Sequence, residues 1–248
     1  MVVFMKKLDH ILHGAGPKSA SDVKFRHELK YGIGIGELEL IRNRIRNLIP
    51  LDGHVGENGA YSIRSLYFDD YENSCYYENE NGTDPREKFR IRIYNHSTEK
   101  ITLECKRKER GKTLKTSCPL TLEQTKQLMA GKYLPDIANQ PEVLRKLTLR
   151  MMTKRMRPVV IVEYDRIPYI YRNGNVRITL DMNVSSCSQV ECFLDEQIPK
   201  RPIMPVGQHL LEVKFDEYLP DFIHHNLNLH SLTQTAYSKY YLCRKYTR

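Results

Sequence analysis

The sequence predicts an α+β domain: an antiparallel sheet large enough to close into a barrel, with a few helices packed outside it. Three observations point there. Runs of alternating apolar and polar residues recur along the chain, divided by short polar turns such as "NHSTE" and "ERG". Helical spacing is confined to a few interposed segments. Neither a low-complexity tract nor a shift in charge marks a second domain.

The first segment, "MVVFMKKLDHILHGAGPKSAS", has its apolar stretch broken by Lys6, Lys7 and Asp9, so it lacks the hydrophobic region of a secretory signal. It reads as a short helix and linker over 1–21, ahead of a single domain over 22–248. "SDVKFRHELKY" alternates as a strand. "GIGIGELELIRNRIRNLI" follows as a helix, with Ile35, Leu38, Ile41, Ile45 and Leu48 at helical spacing. The glycines suggest a dinucleotide loop, but the third fingerprint glycine is missing and no parallel βαβ pattern follows.

Strands are predicted over 60–70, 86–95, 100–108 and 112–120, as a run of hairpins. "TLEQTKQLMAG" is a helix capped by Thr121 and stopped by Gly131, and "QPEVLRKLTLRMMTKRM" is a second. Strands resume at "RPVVIVEYDRIPYIY", "VRITLDMNVSS" and "HLLEVKF". A helix at "LPDFIHHNLNLH" leads into the tail "TQTAYSKYYLCRKYTR".

The 248 residues carry a formal charge of +9, which suits a polyanionic partner or a plainly basic surface. No apolar run is long enough to span a membrane. The six cysteines include no CxxC pair and no zinc-finger spacing, so they read as free thiols in a reducing cytosol. His224 and His225 are adjacent on a predicted helix and point apart, which argues for exposure over a metal site.

Residues two apart on a strand share a face. In "REKFRIRIY", Arg86, Lys88, Arg90, Arg92 and Tyr94 oppose Phe89, Ile91 and Ile93. Thr102, Glu104, Lys106 and Lys108 oppose Leu103 and Cys105. Arg177, Thr179 and Asp181 oppose Val176, Ile178 and Leu180, and Glu212 with Lys214 opposes Leu211, Val213 and Phe215. One face is charged and the other apolar.

Patterning alone favours a half-buried sheet with its charged face in water. Two details favour an enclosed arrangement, with the charged faces inward and the helices covering the apolar ones. Successive same-face cations on one strand repel unless an anion lies between them. The acids recur as glutamate two residues before lysine, at Glu28, Glu104 and Glu212, as metal ligands of a polyphosphate site would.

"RHELKY", "SLYFDD", "KFRIRIY", "LECKRK", "VRITLD", "LLEVKF" and "YSKYYLC" occur in the order seen in the VTC-type polyphosphate polymerase domain. The chain resembles that domain, in its bacterial stand-alone form, from about residue 22 to 245. The family belongs to the triphosphate tunnel (CYTH-like) superfamily. The resemblance implies an antiparallel barrel forming a basic tunnel. It also implies a phosphotransferase that extends polyphosphate from the γ-phosphate of ATP, using Mn2+ or Mg2+.

By the same resemblance, Lys30, Arg90, Arg92, Lys106, Lys115, Tyr164, Arg166 and Arg177 match phosphate-gripping positions, and Lys88 shares their face. Glu212 matches the metal-binding glutamate, with Glu104 and Glu28 as further candidates. Ser238, Lys239 and Lys214 are the candidates for the transfer step. ATP and polyphosphate are the expected partners; nucleic acid and a membrane segment are not expected. The phosphate-sensing and membrane domains of the eukaryotic polymerase are not matched here, so transport coupling does not carry over. A triphosphatase or polyphosphatase on the same fold, and a non-catalytic polyanion-binding module, stay open as alternatives. Sixteen tyrosines would suit base stacking, but most lie in strand segments and no RNP-like motif occurs.

Overall fold

The computed structural model describes residues 26–56 and 58–247; the expected N-terminal helix and linker lie outside them. The strands are β1 (His27–Gly34), β2 (Tyr61–Asp69), β3 (Arg86–Tyr94), β4 (Ser97–Glu109), β5 (Lys112–Leu120), β6 (Arg157–Tyr171), β7 (Val176–Cys187), β8 (Arg201–Pro202) and β9 (Gln208–Phe215). The helices are α1 (Ile35–Ile45), α2 (Ser74–Glu80), α3 (Leu122–Met129), α4 (Glu142–Lys154), α5 (Asp221–Asn226) and α6 (Lys239–Thr247).

All strand pairs are antiparallel, in the order β1-β9-β7-β6-β2-β3-β4-β5, with β8 beside β7. The sheet curls into a half-barrel. Its edge strands meet through one bridge, where Arg26 and Thr113 exchange backbone hydrogen bonds of 3.1 and 3.2 Å. Beyond that bridge, residues 234–235 run along β1. Tyr31 bridges to Gln234, and the Thr235 amide donates to the Lys30 carbonyl at 2.8 Å. The wall is thus completed by a segment that is not a strand.

The apolar faces point outward into two cores under the helices. In one, α1 lays Leu38, Ile41 and Ile45 against Ile178, Leu211 and Val213. Each such side chain contributes about 1.5–3 kcal/mol by leaving water. In the other, Leu144 and Leu147 of α4, Leu128 of α3 and Tyr240 of α6 cover Ile91, Leu103 and Val160. The enclosed arrangement is therefore the one adopted.

Three local details differ from the sequence reading. Ile35 and Leu48 are half exposed, and Ile49 instead completes the buried stripe of α1, because the chain leaves helical register after Ile45. The "GIGIG" run ends β1 and starts α1, where the Gly34 amide donates to Glu37 Oε2 at 2.7 Å. Helix α2 was not foreseen. Asp69 accepts from the amides of Cys75 and Tyr76, and Asp70 from that of Ser74, so β2 itself caps a segment with little helical patterning. Thr121 caps α3 as predicted, Gln124 makes the cap reciprocal, and Gly131 follows the helix at φ +71°.

Among the described residues no helix is long and apolar enough to cross a membrane. All six cysteines are free.

Candidate active site

The repeated glutamate–lysine pairs acquire a geometric meaning when β1 meets β9. The antiparallel register sets Glu28 opposite Lys214 and Lys30 opposite Glu212, so two such pairs form a checkerboard of opposite charges. Lys30 Nζ lies 2.8 Å from Glu28 and 3.5 Å from Glu212, and Lys214 bonds Glu212. Lys106, from the third pair on β4, reaches across the interior to Glu28 at 2.7 Å. It ties together strands from opposite ends of the sheet order.

These groups line a cavity of about 360 Å3 inside the curl of the sheet. Its walls carry ten basic side chains against two carboxylates, Glu28 and Glu212. Strand β3 supplies Arg86, Lys88, Arg90 and Arg92 from one face, as alternation requires. Arg90 Nη1 donates to Tyr67 Oη at 2.8 Å, and Arg92 donates to Ser65 Oγ and Tyr164 Oη at 3.2 and 3.3 Å.

On the facing side Arg166 grips Asp181 through two bonds of 2.6 and 2.8 Å, and Lys239 Nζ shares that carboxylate at 2.6 Å. Asp181 is fully buried. The Tyr164 ring lies beneath both cations, 4.7 Å from Lys239 Nζ and 5.3 Å from the Arg166 guanidinium. Helix α6 begins at Lys239 and points its first turn into the cavity. The preceding Ser238 hydroxyl accepts from the Tyr241 amide at 3.3 Å and from Lys88 Nζ at 3.2 Å. Tyr240 anchors that turn by donating to the buried Asp69.

Burial works against every charge here, and partners decide which survive. It lowers Lys88 to about 7, helped by Arg86, Lys106 and Lys30, because among the described residues Lys88 bonds Asn79 and Ser238 and no carboxylate. Burial also takes Lys106 down to about 8, with Glu28 resisting, and lowers Lys214. Burial opposes the charge on Lys30 as well, but Glu28 and Glu212 raise its pKa. Burial favours neutral acids, yet Lys106 holds Glu28 well below the carboxylate range, and Lys214 and Lys30 do the same for Glu212.

Twelve of the residues expected from the sequence line this cavity, from Glu28 and Lys30 on β1 to Ser238 and Lys239. Three do not. Arg177 shares the inner face but turns away, donating to Asp52 at 2.7 Å and Tyr61 Oη at 3.0 Å. Lys115 sits half exposed on the edge strand β5 and pairs with Glu104 at 3.0 Å. Glu104 is buried among Arg90, Arg92 and Lys115, apart from Glu28 and Glu212.

The lining residues that sequence reasoning gave no role include Asn79, Lys108, Tyr67 and Tyr240. Lys108 was within reach, since it continues the same-face series of Glu104 and Lys106. Asn79 was not, because it sits on the unforeseen α2.

No three His, Cys, Asp or Glu side chains among the described residues group as a complete metal shell. Glu28 and Glu212 do flank one cation, the Lys30 ammonium. A pair of carboxylates is the share of the shell that Mg2+ or Mn2+ takes from protein when phosphate oxygens and water supply the remainder. The donor set fits such an ion only together with a phosphate ligand.

A sequence model of the VTC domain matches residues 25–247. No curated protein matches the chain. Among solved structures, a candidate adenylyl cyclase from Hippeastrum, described as having a dominant triphosphatase activity, superposes with a TM-score of 0.54 at 11% identity, over 90% of this chain and 95% of that one. A candidate adenylate cyclase from Bacillus halodurans gives 0.49 at 16% identity over 85% and 93%. The Mimivirus capping enzyme triphosphatase gives 0.39 at 13% identity over 92% and 93%. At 11% identity the likeness to the Hippeastrum protein speaks to the fold alone.

Proposed function

The chain belongs to the VTC domain family, and on that premise we propose that it is a polyphosphate polymerase, transferring the γ-phosphate of ATP to a growing phosphate chain inside the basic cavity. One observation carries the reading: ten basic side chains line the cavity against Glu28 and Glu212, and even with Asp181 and Glu104 behind them the cations stay in excess, which suits a polyanion. Phosphoryl transfer asks the protein for positioning and for neutralisation of charge on the equatorial oxygens, and a fixed set of guanidinium and ammonium groups provides both.

Lys30, Lys88, Arg90, Arg92, Lys106 and Arg166 clamp the triphosphate. Lys239 and Lys214 stand at the reacting end, with the Tyr164 ring and the Ser238 cap fixing the first turn of α6. An oxygen of the chain terminus attacks the γ-phosphorus in line, the bond to the β-phosphate oxygen breaks, and ADP leaves. Mg2+ or Mn2+, held by Glu28 and Glu212, supplies further neutralisation of phosphate charge when bound.

The test is to incubate the purified protein with ATP and Mn2+ or Mg2+ and size the product. Long-chain polyphosphate with stoichiometric ADP supports the polymerase. Orthophosphate release from triphosphate without chain growth assigns hydrolysis, with water as the nucleophile. Binding without ADP or phosphate release assigns a polyanion-binding module.

A further inference from the structure

A second cavity, of about 280 Å3, lies outside the sheet, between α4, α2 and the outer faces of β3 and β4. Lys146, Arg150 and Lys154 follow one another at one-turn spacing on α4 and present a single row of cations to it. Arg107 and Arg86 bring the basic side chains in its wall to five, against three carboxylates, Asp70, Glu78 and Glu87. Glu87 is the focus of the cluster. It bonds Lys146, lies 3.6 Å from Arg150 and 4.0 Å from Arg107. Arg107 is met more closely by Glu109, at 2.9 Å, and Glu78 faces Lys154 and Arg150, so the five cations of the wall exceed its three carboxylates by two. Lys146 and Arg150 are also about two-fifths exposed, where such pairs are weak and readily exchanged.

This cavity adjoins the first. Arg86 lines both. The register of β3 with β4 sets Arg86 opposite Lys108 and Glu87 opposite Arg107. Adjacent residues on a strand face opposite ways, so Arg86 and Lys108 look into the interior while Glu87 and Arg107 look into the outer groove. Arg86 is thus the basic residue common to the two cavities, at the ends of these strands. A cavity walled by charged groups holds solvent or an ion, and one that shares a basic residue with a phosphate-binding interior is placed to meet the same ligand next.

We infer that the groove along Lys146, Arg150 and Lys154 is an outer subsite for a linear phosphate chain, receiving the part that extends past Arg86 beyond the interior cavity. This rests on the reading of the interior as a phosphate site. It assigns the groove to chain length: a ligand confined to the interior does not sense it, whereas a long chain does.

The experiment compares inorganic triphosphate with long-chain polyphosphate by calorimetry on the full chain, for the wild type, Lys146→Gln/Arg150→Gln, Lys146→Glu/Arg150→Glu and Arg90→Gln. Removing both groove cations weakens long-chain binding about ten-fold and leaves triphosphate within about two-fold. The charge reversals weaken it further, and the salt dependence of long-chain binding becomes shallower by one to two counterions, about 0.7 in slope per lost contact. Thermal melts of the Gln pair confirm that it is folded.

Equal long-chain affinity in wild type and both groove variants overturns the inference, as does parallel loss of triphosphate. So does a groove variant that loses single-stranded RNA while keeping polyphosphate, which assigns the groove to a different polyanion. Arg90→Gln separates the two readings. If it weakens neither ligand, the interior site itself fails. If it weakens both while the groove variants weaken neither, only the outer subsite falls.

Discussion

Lys88 gives the sharpest test of the interior electrostatics. Its ammonium bonds Asn79 and Ser238, stands 5.1 Å over the Tyr240 ring and has no carboxylate partner among the described residues, so burial holds it near a pKa of about 7. A triphosphate entering the cavity restores a counter-charge and raises that pKa, so binding above pH 7 takes up a proton. At pH 6 the lysine is already charged and the proton is free of cost. At pH 8 about nine-tenths of it is neutral, and binding is weakened about ten-fold by this group alone. Lys88→Met removes the effect, and comparing it with wild type cancels the ligand's own ionisation. The assay is calorimetric titration of triphosphate from pH 6 to 8 in two buffers of different ionisation enthalpy, reading affinity and proton uptake together. Wild type should lose about ten-fold more affinity than the variant over that range and take up about 0.9 proton more at pH 8. Parallel profiles would show that Lys88 is charged in the empty cavity, and the reasoning from burial would be refuted.

Other outcomes follow from the same wiring. Glu212→Gln leaves Lys30 and Lys214 facing each other without their shared acid. The unfolding free energy from urea titration should fall by about 3 kcal/mol, be largely recovered by added triphosphate, and turnover of ATP should be lost. Asp181→Asn strips the buried acceptor of Arg166 and Lys239, costing about 3–5 kcal/mol and lowering the melting temperature by about 10 °C. Burial works to raise the Asp181 pKa, but Arg166 and Lys239 outweigh it and hold it low. Its stabilisation is thus present above its ordinary value of 3.8 and lost as pH falls through the lower folded value, which acid titration of wild type against the Asn variant measures. Lys239→Ala should lower kcat about a hundred-fold while changing KM less than about three-fold, since its charge acts at the reacting end; equal loss in both would make it a binding group only.

Most strands and the inward face were legible because both follow from a period of two, whereas β1 runs on through Gly34 and the two-residue β8 is too short to show a period. "REKFRIRIY" and "LECKRK" announce their sidedness in the letters themselves. Parity, however, says nothing about depth along a strand or about which cation a carboxylate reaches. Arg177 therefore has the right face and the wrong place, held by Asp52, a residue more than a hundred positions away. Glu104 carries the same glutamate–lysine spacing as Glu28 and Glu212, yet Arg90 stands opposite it and Lys115 reaches it diagonally, so it is neutralised where the other two flank a cation. Helix α2 was hidden because its cap comes from Asp69 and Asp70 on the preceding strand, and α6 because "KYYLCRKYT" is amphipathic only against a core that other elements build.

The partnership of β1 with β9 has a bearing on biosynthesis. The first described strand finds its neighbour only when the last one has been made, some 175 residues later. At ribosomal speeds of about 5–20 residues per second, that interval is roughly ten to thirty-five seconds. Throughout it "HELKYGIG" waits with an unpaired edge, a template for any other extended peptide nearby. Its alternating charges and glycines are poor partners for a sticky apolar strand, so the features that later build the checkerboard also guard the nascent polypeptide while it waits.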